Sequence, residues 1–290
     1  MRKRKRQYIY MTLPALLLMV VFILIPLLNA VRISFFRWNG YSQHMRFYGA
    51  ENYARILSDD VFWQTLGNTL IYGFGSMLLQ NVGGLLAALY LNKKFRGRNG
   101  MRVILYLPIM ISGFIMGQIL YYFVQYDGGV FNELLGILGF SPVYWMETGL
   151  SSTIMVTLAN SWQYMGLCMI IYLAGLQNIP TMYREAARLD GAGKIKEFFY
   201  VTFPLLMPAV ITAVVTNLIG GLKMYDVIVS MAPNGGPNRS ALSLSYYIQL
   251  LYFNDEKAGY ASAVGIVTFF VIMLITVPIN MWLRRREVEY

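Results

Sequence analysis

Thr181-Met182-Tyr183-Arg184-Glu185-Ala186-Ala187-Arg188-Leu189-Asp190-Gly191-Ala192-Gly193-Lys194 is the stretch on which the reading of this chain turns. It follows Leu173-Ala174-Gly175-Leu176-Gln177-Asn178-Ile179-Pro180 and leads into Ile195-Lys196-Glu197-Phe198-Phe199-Tyr200-Val201-Thr202-Phe203-Pro204. Pro180 ends the preceding element, because the residue before a proline is driven out of the helical region. Thr181 can cap a new helix, predicted over Met182 to Leu189. Asp190-Gly191 predicts a turn, with Gly191 free to take positive φ. A second short helix is predicted from Lys194 to Tyr200, with Pro204 near the start of the next long one. The product is a helix–turn–helix over 180–200 made of small and apolar residues. Ala186 and Ala187 let another surface come close, while Leu189 and Phe198 offer knobs. Such a segment is a docking element for another protein.

Outward from this loop the chain is apolar. A helix needs about 20 apolar residues to cross the hydrocarbon of a bilayer. Six charge-free runs reach that size: Tyr8–Val31, Val61–Asn92, Val103–Tyr126, Thr148–Tyr183, Phe198–Leu222 and Ala258–Leu283. The second and fourth exceed one span, so their ends are expected at the interface. Trimmed to helices, the runs predict 8–31, 64–91, 103–126, 152–178, 201–225 and 259–283, with the loop 180–200 between the fourth and fifth. Leu134–Met146 is too short and contains Pro142, and Ser240–Asn254 is short and polar and is expected outside the bilayer. The fold class is therefore an all-α integral membrane protein of six helices, a single membrane domain over 1–290.

Composition agrees. The 290 residues are 57% hydrophobic and 13% charged, against roughly 45–50% and about 25% in soluble domains. The single Cys168 excludes an internal disulfide or thiolate cluster, and the single His44 excludes a His-rich site, so neither metal nor catalytic residues are expected. Net charge is +10, but the basic residues sit in short blocks between apolar runs, which fits membrane orientation and not nucleic acid. Arg2-Lys3-Arg4-Lys5-Arg6, the loop 93–102, the segment 184–196 and residues 284–286 carry 17 of the 24 Lys and Arg. By the positive-inside bias, both termini and the loops after the second and fourth helices are expected in the cytoplasm. The first run is longer than the roughly 7–15 apolar residues of a secretory signal, so an uncleaved anchor is expected.

The loop also carries a resemblance. Glu-Ala-Ala, three residues, Gly, nine residues, then Ile-x-Leu-Pro is the signature of ABC importer permeases. Glu185-Ala186-Ala187, Gly191 and Val201-Thr202-Phe203-Pro204 stand at that spacing, with Val for Ile and Phe for Leu as conservative departures. Gly49-Ala50-Glu51-Asn52-Tyr53, Asn68-Thr69, Trp162 with Gly166, Gly235-Gly236-Pro237 and Gly259-Tyr260-Ala261-Ser262-Ala263 extend the likeness over nearly the whole chain. It is similar above all to the maltose/glycerol-phosphate-type carbohydrate permeases.

The resemblance implies the translocation subunit of an ATP-driven, binding-protein-dependent importer of a sugar or oligosaccharide in a bacterial cytoplasmic membrane. It implies two ABC ATPase subunits beneath, an extracytoplasmic solute-binding protein outside, and a second related permease, usually an unlike chain in this subfamily. Glu185, Ala186, Ala187, Asp190 and Gly191 become the expected ATPase-coupling residues. Glu185 either pairs with a basic ATPase residue or caps its own loop. ATP and Mg belong to the partner ATPase, and this chain is expected to hold no cofactor and perform no catalysis. The residues agree: Gly191-Ala192-Gly193-Lys194 has Arg188 where a P-loop needs Gly and Ile195 where it needs Ser or Thr.

Asn160, Gln163, Tyr164 and Leu167 stand at i, i+3, i+4 and i+7, on one face of the fourth helix. Polar groups at that depth face protein or a water-filled cavity, so a sugar path and helix–helix hydrogen bonding are both open. The resemblance places the sugar-contacting stretch of maltose-type permeases on this face, and Gly221, Leu222 and Tyr225 at the matching site of the fifth helix. Lys223 and Asp226, at i and i+3, are spaced to pair with each other. Gly113 and Gly117 form a GxxxG read as close packing. A secondary transporter would need an intramembrane carboxylate or a broken-helix ion site; the six runs contain no Asp or Glu, and Asp226 lies at a margin. A membrane enzyme would need clustered catalytic groups, which the sequence lacks. Within the importer class, a non-sugar solute such as glycerol phosphate is the alternative.

Overall fold

The computed structural model describes residues 12–287. The Arg2–Arg6 cluster and the first residues of the run from Tyr8 lie outside the described residues. Four helices are long and apolar enough to cross a membrane unbroken: Thr12–Ser34, Asp60–Leu91, Gly149–Asn178 and Ala258–Arg284. Two further apolar segments are bent pairs, Arg98–Met110 with Gly113–Val124 at 103°, and Lys194–Leu205 with Met207–Leu222 at 70°. The described residues therefore hold four to six segments long and apolar enough to cross, according to whether each bent pair is one span.

The bends correct two expected helices. The run 103–126 is not one helix, because Ile111 and Ser112 are extended and Ser112 caps a new helix by accepting from Ile115 N–H at 3.4 Å. Pro108 opens the tight turn that precedes the break. The helix expected over 201–225 starts at Lys194, bends at Leu206 between Pro204 and Pro208, and ends at Leu222. Proline removes a helical hydrogen bond and clashes with the preceding turn, and this accounts for the bend. The fourth span begins at Gly149, three residues earlier than expected, because Thr148 and Ser151 form a reciprocal capping box. One departure from an all-α chain occurs among the described residues, a hairpin of Phe36–Arg37 and Arg46–Phe47.

The chain divides into two compact units. The first holds residues up to Asp60 with Tyr247–Phe270, and the second holds Val61–Tyr246 with the residues from Val271 onward. In the first unit the Glu51-Asn52-Tyr53 segment secures the end of the first span. Buried Asn52 donates to the carbonyls of Ser34 at 2.8 Å and Phe36 at 3.0 Å, and the Tyr53 and Ser34 hydroxyls meet at 2.7 Å. Asp59 accepts from the hydroxyls of Tyr247 at 2.7 Å and Tyr260 at 2.5 Å.

The second unit is built on close helix contacts through small residues. The expected packing role of the GxxxG is seen: a Cβ on Gly117 would lie 2.0 Å from Ser230 Oγ, and Gly113 faces Asp226 and Val227. Gly166 lets the backbone of Leu105 approach the fourth span, where a Cβ would meet its carbonyl oxygen at 2.0 Å. Buried hydroxyls along that span donate back one turn: Thr153 to Gly149, Thr157 to Thr153 and Ser161 to Thr157. No water competes for these groups in lipid, so the helix satisfies them itself. Ser240–Asn254, expected outside the bilayer, is a turn followed by a short helix from Leu244. Asn68 donates to the carbonyls of Ser240 at 2.7 Å and Leu242 at 3.1 Å, and Thr69 Oγ1 accepts from Leu244 N–H at 2.9 Å.

Candidate functional site

A cavity of about 240 Å³ opens within the second unit beside the second and fourth spans and the Met207–Leu222 helix. Asn160, Tyr164 and Leu167 line it from the fourth span. Gly221 and Tyr225 line it from the end of the fifth run. Two other expected residues lie outside the lining. Gln163 is 1% exposed and donates from Nε2 to the carbonyl of Ile111 at 3.0 Å. That carbonyl stands at the break of the third run, so Gln163 holds the broken backbone. Leu222 is fully buried, with its side chain against Gly73.

The lining also holds Gln80, which the sequence did not single out, and Asn217, which stands with Gly221 and Tyr225 in the segment expected as the fifth helix. Gln80 of the second span lines the cavity and donates to the Asn160 backbone carbonyl at 3.2 Å. Asn217 is buried in the lining, and its Nδ2 has no hydrogen-bond partner of acceptable geometry among the described residues. A buried amide without a partner costs free energy unless a ligand or water supplies one. The signal for both was in the sequence: amides inside apolar runs. Lys223 and Asp226 line the same cavity, are exposed, and do not form the ion pair that their spacing allowed. Helix ends at Leu222 and restarts at Asp226, so the i, i+3 geometry is lost. The Tyr225 ring stands edge-on to Tyr246, with centroids 5.7 Å apart. The cavity thus offers amide donors and acceptors, phenol rings, and one charge of each sign.

The loop forms the second site. Its first helix is Thr181–Leu189, with Pro180 rather than Thr181 at the cap position. Gly191 turns the chain at φ +79°. The second helix begins at Lys194 and runs on to Leu205. Leu189 is 88% exposed, Ile195 75% and Tyr200 80%, which leaves an apolar face without cover among the described residues. Phe198, expected as a knob, instead packs against Phe199 and Phe203. Glu185, Ala186, Asp190 and Gly191 are exposed, while Ala187 is buried. Glu185 caps nothing among the described residues.

The loop has a brace that sequence reasoning did not single out. Glu197 is buried and accepts from Arg184 Nε at 2.8 Å and Arg188 Nε at 2.9 Å. Arg188 and then Arg184 hold its carboxyl below the usual carboxylate range. The two arginines are one helical turn apart on the first helix, and Glu197 is on the second, so the brace locks the helices together. The signal was a lone acid just past four basic residues, two of them spaced i and i+4.

A helical membrane bundle with a polar cavity, carrying an exposed loop braced at its base, defines a solute-translocating component. The comparisons agree. Residues 80–288 match the family described as binding-protein-dependent transport system inner membrane component, and the chain belongs to that family of multi-pass inner-membrane proteins. Among relatives, the trehalose/maltose transport system permease protein MalF of Thermococcus litoralis is 34% identical over 276 residues, covering 95% of this chain and 92% of its own. The arabinooligosaccharides transport system permease protein AraP of Bacillus subtilis is 33% identical, covering 94% and 87%. The lactose transport system permease protein LacF of Rhizobium radiobacter is 33% identical, covering 91% and 89%. Among solved structures, a bacterial alginate ABC transporter in complex with an alginate pentasaccharide-bound periplasmic protein matches at TM-score 0.83 and 25% identity, over 98% of this chain and 96% of that one. A bacterial ABC transporter involved in alginate import matches at 0.82 and 24% identity, with the same coverage, and supports the fold alone.

Proposed function

We propose that this chain is the permease subunit of an ATP-driven, binding-protein-dependent importer of a sugar or oligosaccharide, and that the cavity at Asn160 is the solute path. The observation that carries the reading is the lining itself. Asn160 and Asn217 offer hydrogen bonds that the described residues do not use, as sugar hydroxyls require, and the rings of Tyr164 and Tyr225 suit the apolar faces of a pyranose. The substrates for which the relatives are named, trehalose/maltose, arabinooligosaccharides and lactose, support it. In this reading each bent pair is one crossing, giving six, with both termini and the Thr181–Leu189 loop in the cytoplasm.

The loop docks on one of two partner ATPase subunits through Leu189, Ile195 and Tyr200, with Glu185 facing the partner. ATP and Mg bind there, and this chain hydrolyses nothing. A second permease subunit, an unlike chain, completes the path, and an extracytoplasmic binding protein delivers the solute. Motion passes from the loop through Glu197 into Lys194–Leu205, round the bend at Leu206, and into Met207–Leu222, which bears Asn217 and Gly221. A rigid element shared by two sites is what coupling requires.

A second reading, an importer of an anionic solute such as glycerol phosphate, is favoured by Lys223, which lies in the lining with no ion pair among the described residues. Asp226 beside it opposes that reading. Uptake into vesicles holding the assembled importer separates the two. ATP-dependent uptake of a neutral oligosaccharide supports the first. Uptake of the phosphate ester alone supports the second, and uptake driven by an ion gradient without ATP overturns both.

A further inference from the structure

The hairpin of the first unit sets two arginines against each other. Arg37 and Arg46 are a directly opposed pair of its two strands. Like charges in that position destabilise a strand pair. Both are exposed, and neither forms an ion pair among the described residues. They share a cleft of about 570 Å³ with Arg55, Lys257 and His44, against one carboxylate, Glu256. Asp255 partly answers Lys257 at 3.5 Å, and the Arg55 guanidinium lies over the Tyr260 ring at 4.6 Å. The cleft keeps an excess of positive charge that its described lining does not neutralise.

Position along the chain indicates what does. Arg37 comes three residues after the first span ends at Ser34, and Lys257 immediately precedes the last span at Ala258. Cations so close to span ends stand at the depth of phospholipid headgroups. Trp38 and Tyr260, in the same lining, are residues of the type that gathers at that interface. Basic pockets between spans bind anionic headgroups on the cytoplasmic side of membranes. The same phosphate chemistry is open to a basic cleft on the opposite face, where both span ends place this one in the proposed orientation. We propose that this cleft binds the phosphate of an anionic phospholipid, with Arg37 and Arg46 as its clamp. A phosphate between two guanidinium groups turns cross-strand repulsion into charge-assisted bridging, for which the planar arginine fork is suited.

The test uses the complex extracted from its native membrane and stripped of lipid in detergent. Binding of phosphatidylglycerol, phosphatidylcholine and inorganic phosphate is measured for the wild type, for R37Q/R46Q, and for R96Q/R98Q as a charge-matched control. Phosphatidylglycerol is expected to bind the wild type more tightly than phosphatidylcholine. R37Q/R46Q is expected to weaken it about 30-fold, the effect of losing two cations at a membrane surface. The control is expected to stay within about twofold, a shift under 0.5 kcal/mol. Equal binding of the two lipids by the wild type overturns the proposal without recourse to any variant. So does an equal loss in the control, which makes the effect one of diffuse charge. Inorganic phosphate binding as tightly as phosphatidylglycerol assigns the cleft to free anions instead. Unchanged lipid binding in R37Q/R46Q with loss of the bound periplasmic protein assigns it to protein docking, and equally overturns the proposal.

Discussion

Glu197 and Arg188 meet across the Gly191 turn, carboxylate to guanidinium at 2.9 Å, and so join the two helices of the exposed loop into one body. Glu197→Gln keeps the shape and removes the charge. Uptake by the assembled importer is expected to fall roughly 2- to 30-fold, the range of a coupling change of about 0.5–2 kcal/mol. The protein should still insert, and its ATPase partner should still hydrolyse ATP. Undiminished uptake would falsify the role of the brace in transmission.

The same carboxyl fixes a pH dependence. Its folded value is depressed by the hydrogen bonds from Arg188 and Arg184. A depressed acid stabilises the folded loop above its unfolded value, and that contribution is lost as pH falls through the folded value. The brace therefore holds at neutral pH and opens only under acid. A carbon-13 titration of labelled Glu197 should give a midpoint below the usual 4.5. A midpoint at or above it contradicts the geometry.

Glu185 stands exposed on the outer side of that body. Glu185→Lys should leave the thermal midpoint of the chain unchanged yet lower uptake by more than about tenfold, as charge reversal at a docking surface does. Gly191→Val strains the turn by roughly 1–2 kcal/mol, because left-handed backbone disfavours a Cβ. If both variants import normally, the loop is not the coupling element.

Asn160 and Gln163 are three residues apart and should fail in opposite ways. No hydrogen bond from the Asn160 side chain occurs among the described residues, since Gln80 reaches its backbone. Asn160→Ala should lower uptake about 2- to 10-fold, the value of one hydrogen bond, and spare both stability and basal ATPase activity. Gln163→Ala leaves the Ile111 carbonyl without its donor, costing roughly 1–2 kcal/mol. A thermal shift in Asn160→Ala, or none in Gln163→Ala, reverses the assignment.

Two glycines give a contrast in packing. Gly166→Ala drives a Cβ to 2.0 Å from the Leu105 carbonyl oxygen, which is backbone and cannot turn aside. Overpacking of this kind costs roughly 1–3 kcal/mol. Gly67→Ala meets nothing within 4 Å. It should be neutral or stabilising by up to about 1 kcal/mol, because alanine is the better helix former. Equal thermal midpoints for the two variants would refute the close approach at Leu105.

The apolar runs located every long helix, because hydropathy over twenty residues is a coarse and robust signal. The bends escaped it. Pro108, Pro204 and Pro208 were visible, but a proline near a helix start is as compatible with a straight span as with a break. The face at Asn160, Tyr164 and Leu167 was legible because positions i, i+4 and i+7 fall within an arc of about 60° that includes Asn160. Gln163, at i+3, falls about 60° to one side, enough to turn it from the cavity to Ile111. Leu222 is one residue past Gly221, about 100° round the helix, and packs inward on Gly73. The two-residue strands and the Arg37–Arg46 opposition are too short for any periodicity to register. The Glu197 brace joins residues 9 and 13 positions apart across a turn, a distance that spacing rules within one helix do not reach.

The bonds from Asn68 and Thr69 to the Ser240–Leu244 segment impose an order on biosynthesis. Their partners are 172 to 175 residues further along the chain. At roughly 5–20 residues per second, a ribosome takes on the order of 10–30 s to reach them. Throughout that interval the amide of Asn68 stands on an inserted helix without its final acceptors. The nascent second span is held in the membrane in a provisional state. It is released from that state only when every span but the last has been made.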